Sequence, residues 1–312
     1  MQVEYSENMP GMDGCSLTCH RSAASFVLKS RFMAQKVALV TGSSSGIGLL
    51  TVIELAKSGF KVIASMRDLS RRERLDQAIA QAKLASLVDI RRLDVTGFDV
   101  IPGFVDNVFF DYGRLDVLVN NAGFAVAGFA EDVTLDEVRL QFETNFFGAV
   151  ALTLAALPIM RRQRSGHIIM VSSIAGLHGS VSVSAYSAAK HALEGWSESL
   201  RLEVNCLGIK VVLIEPGNFQ TDIWTRGATM AKKAISKDSP NYPRSLRMRD
   251  RVQAIPKADP IQVARVIAAV ANDPNPRLRH LVGRDARIQL WLKRLLPWKR
   301  HEKLVANFLK ID

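Results

Sequence analysis

The stretch TGSSSGIG, residues 41–48, follows the apolar run KVALV at 36–40 and leads into the helical pattern LLTVIELAKSG. A loop that leaves a buried strand and enters a helix sets free backbone N–H groups beside the positive end of the helix, which suits an anion. Gly42, Gly46 and Gly48 are spaced G-x-x-x-G-x-G, not the G-x-G-x-x-G of the common dinucleotide fingerprint. Gly42 permits a tight turn, Gly46 lets a pyrophosphate approach the backbone, and Gly48 allows close helix-on-strand packing. Ser44, Ser45 and Ile47 belong to the same candidate cradle. The competing reading is a simple turn.

Outward from this loop, apolar runs alternate with helical patterns. The runs are KVALV, KVIAS (61–65), VDIRR (88–92), LDVLVN (115–120), HIIMVS (167–172), KVVLIE (210–215) and RHLVG (279–283). Such alternation predicts an α/β fold: a Rossmann-type, doubly wound parallel sheet of about seven strands with helices on both faces. Runs without strict two-residue alternation suit strands buried on both sides. The expected organisation is a weakly ordered extension over 1–34, a catalytic domain over 35–283 and a basic amphipathic helical extension over 284–312.

The 312 residues are 48% hydrophobic and 23% charged, enough for a sizeable core. No apolar run reaches the ~18 residues expected of a spanning helix. The formal charge of +11 is uneven, with nine Lys or Arg from Arg277 to Lys303 against Asp285 and Glu302. Three cysteines support no disulfide framework and fit a reducing compartment. Cys15, Cys19 and His20 lie close together, but they lack a second ligand pair and read as tail residues. The early acids Glu4, Glu7 and Asp13 argue against a transit peptide, AASFVL is short for a secretory core, and Met33 offers an alternative start.

Chemistry is concentrated at strand ends. The second strand closes on SMRD, residues 65–68, with Met66 where a ribose-gripping acid belongs and Arg67 beside it. Arginine suits a 2′-phosphate, which favours NADP over NAD, while Asp68 reads as a cap for a helix beginning near Ser70. In YSAAK, residues 186–190, four-residue spacing stacks Tyr186 and Lys190 on one helix face. An ammonium near a phenol favours the phenolate and tunes it for general acid/base work. MVSSIAG places Ser172 and Ser173 at a strand's carboxyl end, where a hydroxyl can steady a developing oxyanion. His178 reads as a structural or solvated loop histidine.

Taken in order, TGSSSGIG, LDV at 93–95, NNAG at 120–123, the Asn of ETNFFG, VSS, YSAAK and IEPGNFQTD at 214–222 resemble the short-chain dehydrogenase/reductase family. That family's loop uses TGxxxGxG, which resolves the glycine spacing, and the resemblance covers Lys36 to Gly283. It implies a tetrad of Asn145, Ser173, Tyr186 and Lys190. Tyr186 would exchange the proton, Ser173 would orient the reacting oxygen, and Lys190 would lower the tyrosine pKa and hold the nicotinamide ribose. Asn145 would support a relay water by bending its helix. The resemblance also implies that Asp94 and Val95 face the adenine, that Asn121, Ala122 and Gly123 line the adenosine ribose, and that Pro216, Gly217 and Thr221 reach the nicotinamide side.

The implied activity is hydride transfer between NADP(H), or NAD(H), and a carbon bearing oxygen. Residues 217–259 break the strand–helix rhythm and read as a structureless substrate lid, with Phe219, Ile223, Trp224 and Met230 as apolar contacts. This looks like the branch handling steroids, retinoids and other hydrophobic alcohols or ketones. The rivals are a 3-ketoacyl reductase for groups on an acidic carrier, and an NADP(H)-binding sensor or scaffold without turnover. Ile288, Trp291, Leu292 and Leu295 form one helical stripe flanked by cations, suiting either an anionic membrane surface or packing on the domain. The resemblance implies a homodimer or homotetramer built on the long helices containing Asn145 and Tyr186. The expected setting is cytoplasmic, with peripheral membrane contact as an option and no nucleic-acid partner.

Overall fold

Five consecutive buried residues, Val37–Thr41, make strand β1, an interior strand of a sheet covered on both faces. The computed structural model describes residues 35–221 and 228–309. The 1–34 extension with Cys15, Cys19 and His20, and the lid residues Ile223 and Trp224, lie outside the described residues.

After β1 come helix α1 (Gly46–Lys57), β2 (Lys61–Met66), α2 (Glu73–Ala82), β3 (Val88–Arg92), α3 (Ile101–Tyr112) and β4 (Val117–Asn120). A short strand β5 (Ala125–Ala127) precedes α4 (Leu135–Phe142), a π-helical segment Glu143–Phe147, and α5 (Gly148–Gln163). Then follow β6 (Gly166–Val171), α6 (Ser184–Val204), β7 (Ile209–Pro216) and β8 (Ala228–Met230). The chain continues through α7 (Tyr242–Ala254), α8 (Ile261–Asn272), β9 (Arg279–Val282), α9 (Arg284–Leu295) and α10 (Trp298–Leu309).

The main sheet has seven parallel strands in the order β3-β2-β1-β4-β6-β7-β9. Each expected strand run holds a strand, within a residue or two at its ends. The order reverses between β1 and β4, so the loops after them part and leave a crevice at the strands' carboxyl ends. One apolar layer joins Val40, Val62 and Ile214 to α1 and α8 through Leu55 and Ile267; the other joins Leu39, Leu118 and Met170 to Leu152 and Leu200. Side chains alternate across each strand, so one set of Val, Ile and Leu runs fills both layers. A second sheet pairs β5 with β8 in parallel, Ala125 against Ala228.

Two expectations are corrected by the fold. Residues 217–259 are not structureless: they hold β8 and the thirteen-residue α7. Arg244, Arg247, Arg249, Asp250 and Arg251 hide the helical stripe, leaving Ser245 and Met248 as the buried positions. The expected stripe of Ile288, Trp291, Leu292 and Leu295 lies within α9, and Pro297 separates that helix from α10. Finally, one helix among the described residues, Leu135–Gln163, is long and apolar enough to cross a bilayer, with mean hydropathy 1.4 over its best window. Its Leu152, Ala156, Ile159 and Met160 instead pack with Leu118 of the sheet. On its outer side Leu140, Phe147 and Leu154, seven residues apart, remain 53%, 46% and 56% exposed.

β9 has β7 as its one neighbour in the sheet and is held further by Arg279. This guanidinium reaches Glu215 of β7 at 2.6 Å, Glu198 of α6 at 2.5 Å, and Glu194 of α6. Burial and the neighbouring Glu194 carboxylate push the Glu215 carboxyl up, against the pull of Arg279. The network fixes the α6 turn immediately after Lys190.

Candidate functional site

Four strand ends supply the site. β1 ends at Thr41, and Gly42 and Gly46 adopt φ of +67° and +56°, which glycine takes without strain. The Thr41 hydroxyl accepts the Asn121 and Ala122 N–H groups at 3.0 and 2.9 Å. The Asn121 amide donates back to the Thr41 and Gly42 carbonyls at 2.8 and 3.2 Å. A Cβ on Gly42 would stand 2.8 Å from the Ala122 Cα, and one on Gly48 would run into the Gly42 carbonyl. Both glycines are therefore required by packing within the protein. Asn121 acts as the clamp of the glycine loop, a role the sequence reading did not assign.

Among the described residues no side chain caps α1, although Ser45 stands at its N-cap position. Its first-turn N–H donors therefore point at the crevice without a side-chain acceptor, the arrangement that suits a pyrophosphate. A cavity of about 430 Å³ runs over this helix end. Gly42, Ser44, Ser45, Gly46, Ile47 and Gly48 line it, joined by Asn121, Ala122, Gly123, Ser173, Tyr186, Lys190, Pro216, Gly217 and Thr221. The residues present fit a dinucleotide.

Arg67, Asp94 and Val95 are not among those lining residues. Arg67 is exposed past the end of β2. Asp68 caps the turn Leu69–Arg71, accepting the Ser70 N–H at 3.0 Å and its hydroxyl at 2.7 Å. This carries Ser70, Arg71, Glu73 and Arg74 to the cavity rim. The signal for them was the charge cluster SRRER following SMRD. The Asp94 carboxylate is occupied by the Thr96 N–H and hydroxyl at 3.0 and 2.8 Å, and Val95 is buried.

α6 brings Tyr186 and Lys190 together, 4% and 5% exposed. Ser173, just past β6, accepts the Ala175 N–H at 3.1 Å, which leaves its proton for another acceptor, and it is hydrogen-bonded to Tyr186. Burial pushes the Tyr186 phenol up to about 12, with the Ser173 bond opposing. Burial also pulls Lys190 down to about 8, with Glu194 opposing. The Lys190 ammonium donates to the Val171 carbonyl at 2.7 Å and lies 5.7 Å from the Tyr186 ring centre. Desolvation is the largest influence on the phenol in this geometry. Asn145 sits in the π-helical segment, a local widening that matches the expected bend. Its amide bonds the Phe124 carbonyl and N–H at 3.0 and 3.2 Å.

A second cavity, about 600 Å³, shares Ser173 and Gly217 with the first and extends under α7, α9 and α10. Its walls include Val183, Met230, Met248, Val252, Leu292 and Val305. Met230 falls where expected, whereas Phe219 is buried and lines the first cavity instead. His178 is engaged, its Nε2 3.0 Å from the Gln289 Oε1 of α9.

Comparison with known proteins agrees with this geometry. The short chain dehydrogenase family model matches residues 36–231. An uncharacterized oxidoreductase, YusZ of Bacillus subtilis (strain 168), is 39% identical over 280 residues, covering 89% of this chain and 99% of YusZ. Human retinol dehydrogenase 8 is 38% identical over 216 residues, 68% of each chain. A solved metagenomic short-chain oxidoreductase in complex with NADP superposes with a TM-score of 0.62 at 27% identity, covering 79% of this chain and 96% of that one. The chain belongs to the short-chain dehydrogenase/reductase family. It is accordingly an NAD(P)-dependent oxidoreductase.

The buried lysine leaves a signature in stability. A folded pKa of about 8 against 10.5 in the open chain means the unfolded state holds the proton longer, so burying charged Lys190 is a cost below about pH 8. That cost is relieved as pH rises, and unfolding free energy gains about 2 kcal/mol between about pH 8 and 10. Denaturant titrations across that window should show the rise in the wild type and not in Lys190→Met.

Proposed function

We propose that the protein transfers a hydride between NADP(H) and a hydrophobic secondary alcohol or ketone, or a retinoid-like alcohol or aldehyde, with Tyr186 as general acid/base. The observation that carries this reading is the junction at Ser173: the phosphate-binding cradle and a large apolar cavity meet at one hydroxyl beside a buried phenol. A volume of about 600 Å³ lies in the range of pockets that enclose a whole small molecule. Similarity to a retinol dehydrogenase supports the apolar substrate class. When bound, the nicotinamide supplies or accepts the hydride.

The protein's part is orientation and proton handling. In this reading Gly42 to Gly48 would hold the pyrophosphate, and Lys190 and Thr221, which line the same cavity, would hold the nicotinamide end. Ser173, its oxygen already accepting from Ala175, turns its proton toward the substrate oxygen. Tyr186 stays protonated at neutral pH because burial raises its pKa, so it is ready to donate to an oxyanion formed on carbonyl reduction. Asn145, its side chain tied to Phe124 in the π-helical widening, would support a relay water through that local bend. Reduced-nicotinamide absorbance with a panel of apolar ketones, alcohols and carrier-linked acyl groups tests the reading. Turnover should fall about 100- to 10,000-fold in Tyr186→Phe, and turnover unchanged by that substitution would overturn it. Activity confined to carrier-linked acyl groups would select the 3-ketoacyl reductase.

NADP is the favoured cofactor because Arg71 and Arg74 line the rim and Arg67 is nearby in sequence. A charge-assisted bond to a 2′-phosphate is worth about tenfold or more in affinity. In Arg71→Ala/Arg74→Ala, NADPH should weaken about 10- to 100-fold more than NADH; equal losses, measured by fluorescence titration, would reverse the preference.

The oligomer is read from the outer face of α4 and α5. Leu140, Phe147 and Leu154 recur every seven residues, the repeat of a helix seam, and support a homodimer built on this helix. Sedimentation equilibrium should show a dimer that Phe147→Glu/Leu154→Glu converts to monomer; the same mass for both proteins would remove the proposal.

A further inference from the structure

α9 and α10 present two different faces. The inward one is docked: Ala286 is fully buried, Asp285 accepts the Asn218 N–H at 2.7 Å, and Lys293 donates to the Leu177 carbonyl. The outward one is not. Trp291, Leu295 and Trp298 are 62%, 59% and 64% exposed, yet none of them lines the apolar cavity. Ile288, Leu304 and Phe308 do line it while staying 58%, 42% and 64% exposed, so they edge its mouth.

Charge surrounds this apolar patch. From Arg284 to Leu309 there are seven Lys or Arg against Asp285 and Glu302, and Asp285 is turned inward. Arg294, Lys299, Arg300 and Lys303 are exposed. Tryptophans at the edge of an apolar patch, with cations around them, match the chemistry of a bilayer interface: indole rings seat at the headgroup level and cations meet anionic lipid. A second copy of the chain would bring the same cations against each other, which disfavours that occupant.

We propose that α9 and α10 dock the protein on an anionic lipid bilayer, with Trp291, Leu295 and Trp298 inserted, so that the mouth of the apolar cavity opens on the membrane. Docking itself does not depend on which alcohol or ketone is turned over. The membrane delivery of substrate rests on the function proposed above.

The test is co-sedimentation of the full chain with vesicles of phosphatidylcholine alone or with phosphatidylglycerol added. The protein should pellet with the anionic vesicles and be released by high salt. Trp291→Ser/Leu295→Ser/Trp298→Ser should lose pelleting while turning over a water-soluble ketone at the wild-type rate. Should that variant not fold, Arg294→Gln/Lys299→Gln/Arg300→Gln/Lys303→Gln, which alters exposed cations alone, should weaken vesicle affinity by about 100-fold or more. Equal pelleting with neutral vesicles, no pelleting at all, or pelleting unchanged in both variants overturns docking. So does a serine variant that, without lipid, dissociates a dimer seated on this patch. Loss of ketone turnover on every substrate, with pelleting intact, would instead count against the proposed function alone.

Discussion

The clamp between the ends of β1 and β4 is the constraint on which the site depends. Where strand order reverses, consecutive loops part, and a crevice opens that must bind a ligand without unravelling its own backbone. Thr41 and Asn121 meet that need with four hydrogen bonds in place of a covalent tie. The consequence is crowding: Gly42 and Gly48 come so near Ala122, Asn121 and each other that a methyl group does not fit at either. The spacing of TGSSSGIG thus answers to two demands, one from the cavity it lines and one from the NNAG turn pressed against its back.

Rigidity at the crevice lets the neighbouring groups be costly. Tyr186 and Lys190 are both almost fully buried, and desolvation moves each pKa against its charged form. Such a pair persists only where surrounding structure over-determines it. Here the Val171 carbonyl holds the ammonium, Ser173 holds the phenol, and Arg279 anchors the next turn of α6 through Glu194. The edge strand β9 therefore has a role beyond closing the sheet: it delivers the guanidinium that balances two buried carboxylates behind Lys190 and α6.

What could be read from the sequence was what is local. Seven strand runs, the glycine loop and the four-residue step from Tyr186 to Lys190 depend on residues adjacent in the chain or one helical turn apart, and all are found where expected. Contacts between distant segments were not legible. α7 was hidden because five charged residues in thirteen blur its stripe, and its buried positions are defined only by what packs over them. Arg67 stands out by its strand position, whereas Arg71 and Arg74 reach the cavity rim through the capped turn at Asp68, which strand position does not reveal. Asn121 shows a third kind of limit: the residue was singled out, yet its bonds run to the loop seventy-nine and eighty residues earlier.

The same distance effect joins the substrate side to the chemistry. α9 walls the apolar cavity with Ile288 and Leu292, and on the same helix Gln289 meets His178 while Lys293 meets the Leu177 carbonyl. Leu177 and His178 close the turn that begins at Ser173, whose oxygen already accepts from Ala175 within it. Asp285 at the start of α9 holds the Asn218 N–H, next to the Gly217 shared by both cavities. One helix thus fixes the far wall of the apolar cavity and braces the two loops, at Ser173 and Gly217, that both cavities share. A shift of α9 would have to break or carry along the bonds of Gln289 and Lys293 to the Ser173 turn, so the apolar wall and that turn are physically connected.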